Sequence, residues 1–124
     1  MFIVEDSPAV LERLAEMVLD IDGMELVGDA STYKAAVSGI IASRPDVAIL
    51  DIKLADDSGS GIDVLGGVKA RLPGLKSIVL SNYATPQHIK ASADAGADFF
   101  LDKSVDFERI TGILEQLKNE SDAG

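Results

Sequence analysis

The chain predicts an α/β domain built on a five-stranded parallel sheet with helices on both faces. Three observations carry that prediction. Short apolar runs alternate five times with longer stretches at helical spacing. Val47-Ala48-Ile49-Leu50 is apolar throughout, as expected of a central parallel strand covered on both sides. A length of 124 residues with 47% hydrophobic composition suits one domain with a sizeable core. Strict strand–helix alternation then calls for right-handed crossovers.

The elements follow in order. Phe2-Ile3-Val4 is the first strand. Ser7-Pro8 opens the first helix, with a capping hydroxyl followed by proline at the first helical position. Leu11, Leu14, Ala15, Val18 and Leu19 line one face of it, and Asp22-Gly23 is a turn. Glu25 to Gly28 reads as the second strand. Ser31 or Thr32 caps a second helix carrying Ala36, Val37, Ile40 and Ile41, which Arg44-Pro45 stops. The third strand is Val47 to Leu50, and Asp51 to Gly61 is a polar, glycine-containing loop. Ile62, Leu65, Val68 and Leu72 mark the third helix, ended by Pro73-Gly74. Ser77 to Leu80 is the fourth strand. Thr85-Pro86 opens a fourth helix whose inward residues read as Ala91, Ala93 and Ala95, a light anchor compared with leucine or isoleucine. Ala97 to Leu101 is the fifth strand, Ile110, Ile113, Leu114 and Leu117 mark the last helix, and Glu120 to Gly124 reads as a flexible tail.

Composition narrows the function classes. There is no cysteine, which excludes disulfides, thiolate metal sites and thiol nucleophiles. The longest apolar runs are four residues, Met1 to Val4 and Val47 to Leu50, too short for a bilayer span. A net charge of −10 argues against nucleic-acid binding by this segment, because phosphate contacts need a basic face.

In parallel sheets of this kind functional groups gather beyond the carboxyl ends of the strands. Those positions hold Glu5 and Asp6 after the first strand, Asp51 after the third, Ser81 after the fourth and Lys103 after the fifth. Three acids, a hydroxyl and an ammonium therefore meet at one end of the sheet. Acids so placed repel one another unless cations neutralise them. Lys103 supplies one charge, and a hard divalent ion such as Mg²⁺ suits the rest. That set fits phosphoryl transfer to a carboxylate, with Asp51 the nucleophile and Ser81 and Lys103 binding the equatorial oxygens.

These residues resemble those of a bacterial two-component response regulator receiver domain, from near Met1 to about Leu117. The matching strings are Ile3-Val4-Glu5-Asp6, Val47 to Asp51, Ile78-Val79-Leu80-Ser81 and Gly96-Ala97-Asp98-Phe99-Phe100-Leu101-Asp102-Lys103. The resemblance implies a flavodoxin-like (βα)5 fold with strand order 2-1-3-4-5, over a receiver unit of residues 1–119 with a tail at 120–124. It implies that Glu5, Asp6, Asp51 and the backbone carbonyl of Lys53 hold Mg²⁺. Asp51 would accept a phosphoryl group from a sensor histidine kinase. Ser81 and Lys103 would bind it, and Phe100 would act with Ser81 as an aromatic switch. The surface of the fourth helix, fifth strand and fifth helix would then control a partner protein or a C-terminal effector domain, and it is a possible homodimer face. The resemblance also implies a cytoplasmic signalling switch rather than an enzyme, with no membrane partner.

Some positions depart from the family pattern. Glu5 stands where Asp is frequent, Ala55 replaces a frequent proline, and the loop from Asp56 to Gly61 is longer than in many members. Ser104 replaces a proline that often follows a cis peptide, so the Lys103-Ser104 isomer stays open. Tyr83 stands beside the expected pocket, where it would influence water access. Two other readings remain: a receiver-like interaction module that is not phosphorylated, and a small metal-dependent phosphatase.

Overall fold

In the computed structural model, which describes residues 1–55, 59–82 and 84–123, ten elements alternate. They are β1 (Phe2–Val4), α1 (Pro8–Leu19), β2 (Gly28–Ala30), α2 (Tyr33–Ser43), β3 (Val47–Asp51), α3 (Gly61–Lys69), β4 (Lys76–Ser81), α4 (Pro86–Asp94), β5 (Phe99–Asp102) and α5 (Arg109–Ala123). The five strands form one parallel sheet in the order β2-β1-β3-β4-β5.

Strand alternation divides the core into two layers. Ile3, Ile49, Ile78, Leu80 and Leu101 face α1 and α5, where Leu14, Val18, Ile110 and Leu114 close over them. Phe2, Val4, Ala48, Leu50 and Val79 face α2 and α3, against Ala36, Ile40, Val64 and Leu65. β3 is buried along its whole length, which accounts for its unbroken apolar run.

Polar side chains start the helices. Ser7, Thr32, Ser60 and Thr85 each accept a backbone N–H of the first turn of α1, α2, α3 and α4. Ser60 and Asp63 form a reciprocal capping box, so Gly59-Ser60-Gly61 is an organised helix start. Arg44, at φ 49°, ends α2 ahead of Pro45.

Several element boundaries differ from the sequence expectation. β2 is Gly28–Ala30, not Glu25 to Gly28, because Gly28 pairs with Phe2 while Met24 and Leu26 pack into the α1–α5 layer before the strand begins. β5 starts at Phe99 rather than Ala97, since the Ala97 N–H is taken by the Ser92 carbonyl of α4 in the turn marked by Gly96 at φ 101°. α5 continues to Ala123, so residues 120–123 of the expected tail are helical. No proline or glycine interrupts that stretch before Gly124, which is itself outside the described residues. The inward face of α4 is also corrected. Ala91 and Ala93 are exposed, whereas His88, Ser92 and Ala95 turn inward at helical spacing, with Ser92 fully buried.

Candidate functional site

Pleat parity builds the site. Glu5 continues the parity of Ile3, Asp51 that of Ile49, and Lys103 that of Leu101, so all three side chains emerge on the α1–α5 side beyond the strand ends. There Lys103 Nζ donates to Asp51 Oδ2 at 2.8 Å and to Glu5 Oε1 at 3.1 Å, and lies 2.9 Å from Glu5 Oε2. The exposures of the Lys103 and Glu5 side chains are only 10% and 1%. Ser7 N–H also donates to Glu5 Oε1, which ties the start of α1 to the same carboxylate. Glu5 Oε2 is buried and carries no hydrogen bond despite the nearby ammonium.

The electrostatics follow from burial. Removal from water, with the neighbouring Asp51 acting in the same direction, raises the Glu5 carboxyl to about 7 against the hydrogen bond from Lys103. Burial likewise raises Asp51 above the usual carboxylate range, against the hydrogen bond and charge of Lys103. Burial disfavours the Lys103 ammonium too, but hydrogen bonds to Asp51 and Glu5 outweigh it and hold its pKa above the ordinary lysine value.

Glu5, Asp6 and Asp51 bring one oxygen each within 4.8 Å of one another. Of the cations around these three carboxylates only the Lys103 ammonium lies within pairing distance among the described residues, and one buried carboxylate oxygen lacks a hydrogen bond. This all-oxygen donor set with excess negative charge fits a hard divalent cation. The three acids, Lys53 and Lys103 line one cavity of about 560 Å³.

Ser81 and Phe100 do not line that cavity. Ser81 is buried at the end of β4, where its carbonyl accepts the Lys103 N–H. It shares the parity of Val79, which pairs with Phe100, so Ser81 and Phe100 lie toward the opposite layer. Phe100 is half-buried. Tyr83 and residues 56–58 of the long loop are outside the described residues.

The segment carrying Lys103 is held by local hydrogen bonds. Asp102 Oδ1 accepts from Ser104 N at 2.8 Å and Ser104 Oγ at 2.6 Å, while Asp106 Oδ2 accepts the Asp102 N–H. No described peptide bond is cis, so Lys103-Ser104 is trans.

A positional constraint on Asp51 escaped the sequence reading. A Cβ built on Gly61 would lie 2.0 Å from the Asp51 carbonyl oxygen, while Gly61 N–H donates to Ile52 O. The start of α3 can approach the end of β3 only without a side chain there. Gly61→Ala is expected to lower stability by about 1–3 kcal/mol, as overpacking does. Urea unfolding checks it, and an unchanged midpoint would show that the backbone yields at no cost.

An acidic cavity over the end of the central strand of a doubly wound parallel sheet is the architecture of a signal-receiver domain. The chain belongs to the response regulator receiver domain family, which it matches over residues 1–115. It is 30% identical over 104 residues to the DNA-binding transcriptional activator DevR/DosR of Mycobacterium tuberculosis, covering 84% of this chain and 47% of that one. It is 36% identical over 112 residues to the transcriptional regulatory protein KdpE of the same species, covering 90% and 47%. Among solved structures, the CheY-like response regulator receiver domain protein of Methanospirillum hungatei superposes with a TM-score of 0.77 at 28% identity, covering 99% and 96%. The chain thus spans about half the length of these two regulators. Members of the family are signalling proteins of two-component systems rather than enzymes of metabolism. Among the described residues no helix is long and apolar enough to cross a membrane.

Proposed function

We propose that residues 1–119 act as a phosphoacceptor switch, taking a phosphoryl group on Asp51 from a histidine of a sensor kinase. The observation that carries this reading is the buried Asp51 carboxylate, hydrogen-bonded to Lys103 in a cavity shared with Glu5 and Asp6. An Asp51 oxygen attacks phosphorus, the phosphorus–nitrogen bond breaks, and the electron pair leaves with the imidazole. Lys103 sits where it neutralises oxygens of the transferring group, and its raised pKa keeps it cationic. Glu5, Asp6, Asp51 and the Lys53 carbonyl would hold Mg²⁺. When bound, the ion supplies charge neutralisation to the attacking and transferring oxygens.

Readout is assigned to Ser81 and Phe100, which share one face of adjacent strands, and to the α4-β5-α5 surface. Ile89 on α4 and Val105 beyond β5 are large apolar residues with 44% and 78% exposure there, a favourable composition for a protein partner, an effector domain or a second copy. The setting is cytoplasmic, beside a sensor kinase, and the negative charge of this segment leaves any nucleic-acid binding to another domain.

The test is intact-mass spectrometry after incubation with Mg²⁺ and acetyl phosphate. One added phosphoryl group is expected. No gain from any donor would favour the unphosphorylated interaction module, and steady phosphoester turnover independent of Asp51 would favour a phosphatase.

Mg²⁺ alone is expected to raise the thermal midpoint. At a hundredfold excess over Kd it stabilises the fold by about 2.7 kcal/mol, or several degrees. EDTA should reverse this, and Asp6→Asn should abolish most of it. An equal rise in that variant would remove Asp6 from the ligand set.

A further inference from the structure

The cavity that holds Asp51 contains a cation that phosphoryl transfer, as set out above, does not use. Ser7, Val10 and Arg13 form a stripe along α1 at three-residue spacing, and all three line the cavity. The Arg13 guanidinium carbon lies 4.1 Å from the centroid of the Phe107 ring. Phe107 is 7% exposed, lines the same cavity and is part of the α1–α5 core, so it is a fixed platform. Stacking on the ring face occupies the guanidinium plane and leaves its N–H edge available. Among the described residues Arg13 makes no ion pair and no side-chain hydrogen bond, although three carboxylates share its cavity. Glu5 and Asp51 are engaged by Lys103 instead.

The charge of the whole molecule gives this placement a consequence. At −10 the chain repels an approaching anion, and the cavity adds three acids of its own. Lys53, Lys103 and Arg13 line the same cavity, and of these only Lys103 pairs with the acids among the described residues. Lys103 is spent on Glu5 and Asp51, and of the other two cations Arg13 is the one held over an aromatic ring at the cavity wall. We infer that Arg13, pinned on Phe107, recruits anionic small-molecule phosphodonors of the acyl phosphate class to Asp51, a specificity role that rests on the phosphoacceptor reading. Arg13 pairs with donor oxygens in the encounter and takes no part in bond making at phosphorus.

The experiment measures the phosphorylation rate against acetyl phosphate concentration, with Mg²⁺, for wild type, Arg13→Gln and Arg13→Lys. Arg13 is exposed, so both variants should fold, which thermal midpoints check. In Arg13→Gln the half-saturating donor concentration should rise about three- to tenfold, with the maximal rate within about twofold of wild type. Its salt dependence should flatten, and Arg13→Lys should recover part of the loss. Inorganic phosphate should shift the Arg13 Nε–H resonance of the wild type. An unchanged half-saturation in Arg13→Gln overturns the inference while leaving Asp51 as acceptor. A lower maximal rate at unchanged half-saturation overturns it by putting Arg13 in the chemical step. Absence of phosphorylation in the wild type overturns the phosphoacceptor reading and this inference together.

Discussion

Asp51→Asn is expected to abolish phosphorylation by acetyl phosphate or a kinase, a drop of at least about a thousandfold in rate. An amide oxygen is a poor nucleophile and cannot form the acyl phosphate. The substitution changes little else, because Asn keeps the volume at the end of β3 and still accepts a hydrogen bond from Lys103. Circular dichroism should match the wild type. Residual phosphorylation at a comparable rate would mean that another acid in the cavity is the acceptor, with Asp6 the first to suspect, since it shares the cavity and stands outside the Lys103 pairing.

Lys103→Met should have the second largest effect. The ammonium is the shared partner of Asp51 and Glu5, at 2.8 and 2.9 Å. Its loss removes a preorganised cation facing the transferring phosphoryl oxygens, worth about 100-fold or more in rate. It also leaves two buried carboxylates facing each other. Breaking a buried pair costs up to about 3–5 kcal/mol, and the openness of this cavity to water places the expected loss at the lower end. Mg²⁺ should return part of that stability by taking over the neutralisation. A metal-free Lys103→Met protein as stable as wild type would show that the two acids simply hold protons, and that Lys103 contributes nothing to the resting fold.

Much of this architecture is readable from residue order because two regular patterns coincide. Alternation of apolar runs with helical stripes marks the five units, and the polar residue ending each run marks the functional edge. Glu5, Asp6, Asp51 and Lys103 are legible for that reason: they interrupt apolar strands at the same end of the sheet. Where the pattern thins, the reading slips. β2 is a short edge strand, Gly28-Asp29-Ala30, whose register depends on Phe2 lying over Gly28, so the apolar residues just before it pose as the strand. In α4, alanines two apart cannot share a helix face, and the buried position is Ser92, which apolar pattern reading passes over. Strand-end position alone does not say that Ser81 follows the pleat parity of Val79 rather than that of Leu80.

Other features lie beyond any local pattern. The Gly61 approach to the Asp51 carbonyl closes the loop between β3 and α3, and the Arg13–Phe107 contact joins residues far apart in sequence, so only folding reveals them. The spacing of Ser7, Val10 and Arg13 is visible along the chain. That it faces the acidic cavity is not, because the angle of α1 is set by packing on α5.

The most direct test of the central claim is to trap the acceptor chemically. The protein is phosphorylated with acetyl phosphate and Mg²⁺, reduced with borohydride, which converts an acyl phosphate on aspartate to homoserine, and digested for peptide sequencing. Homoserine at position 51 alone is the predicted result. Homoserine at position 6, or a phosphorylated protein with no reducible acyl phosphate, would contradict it.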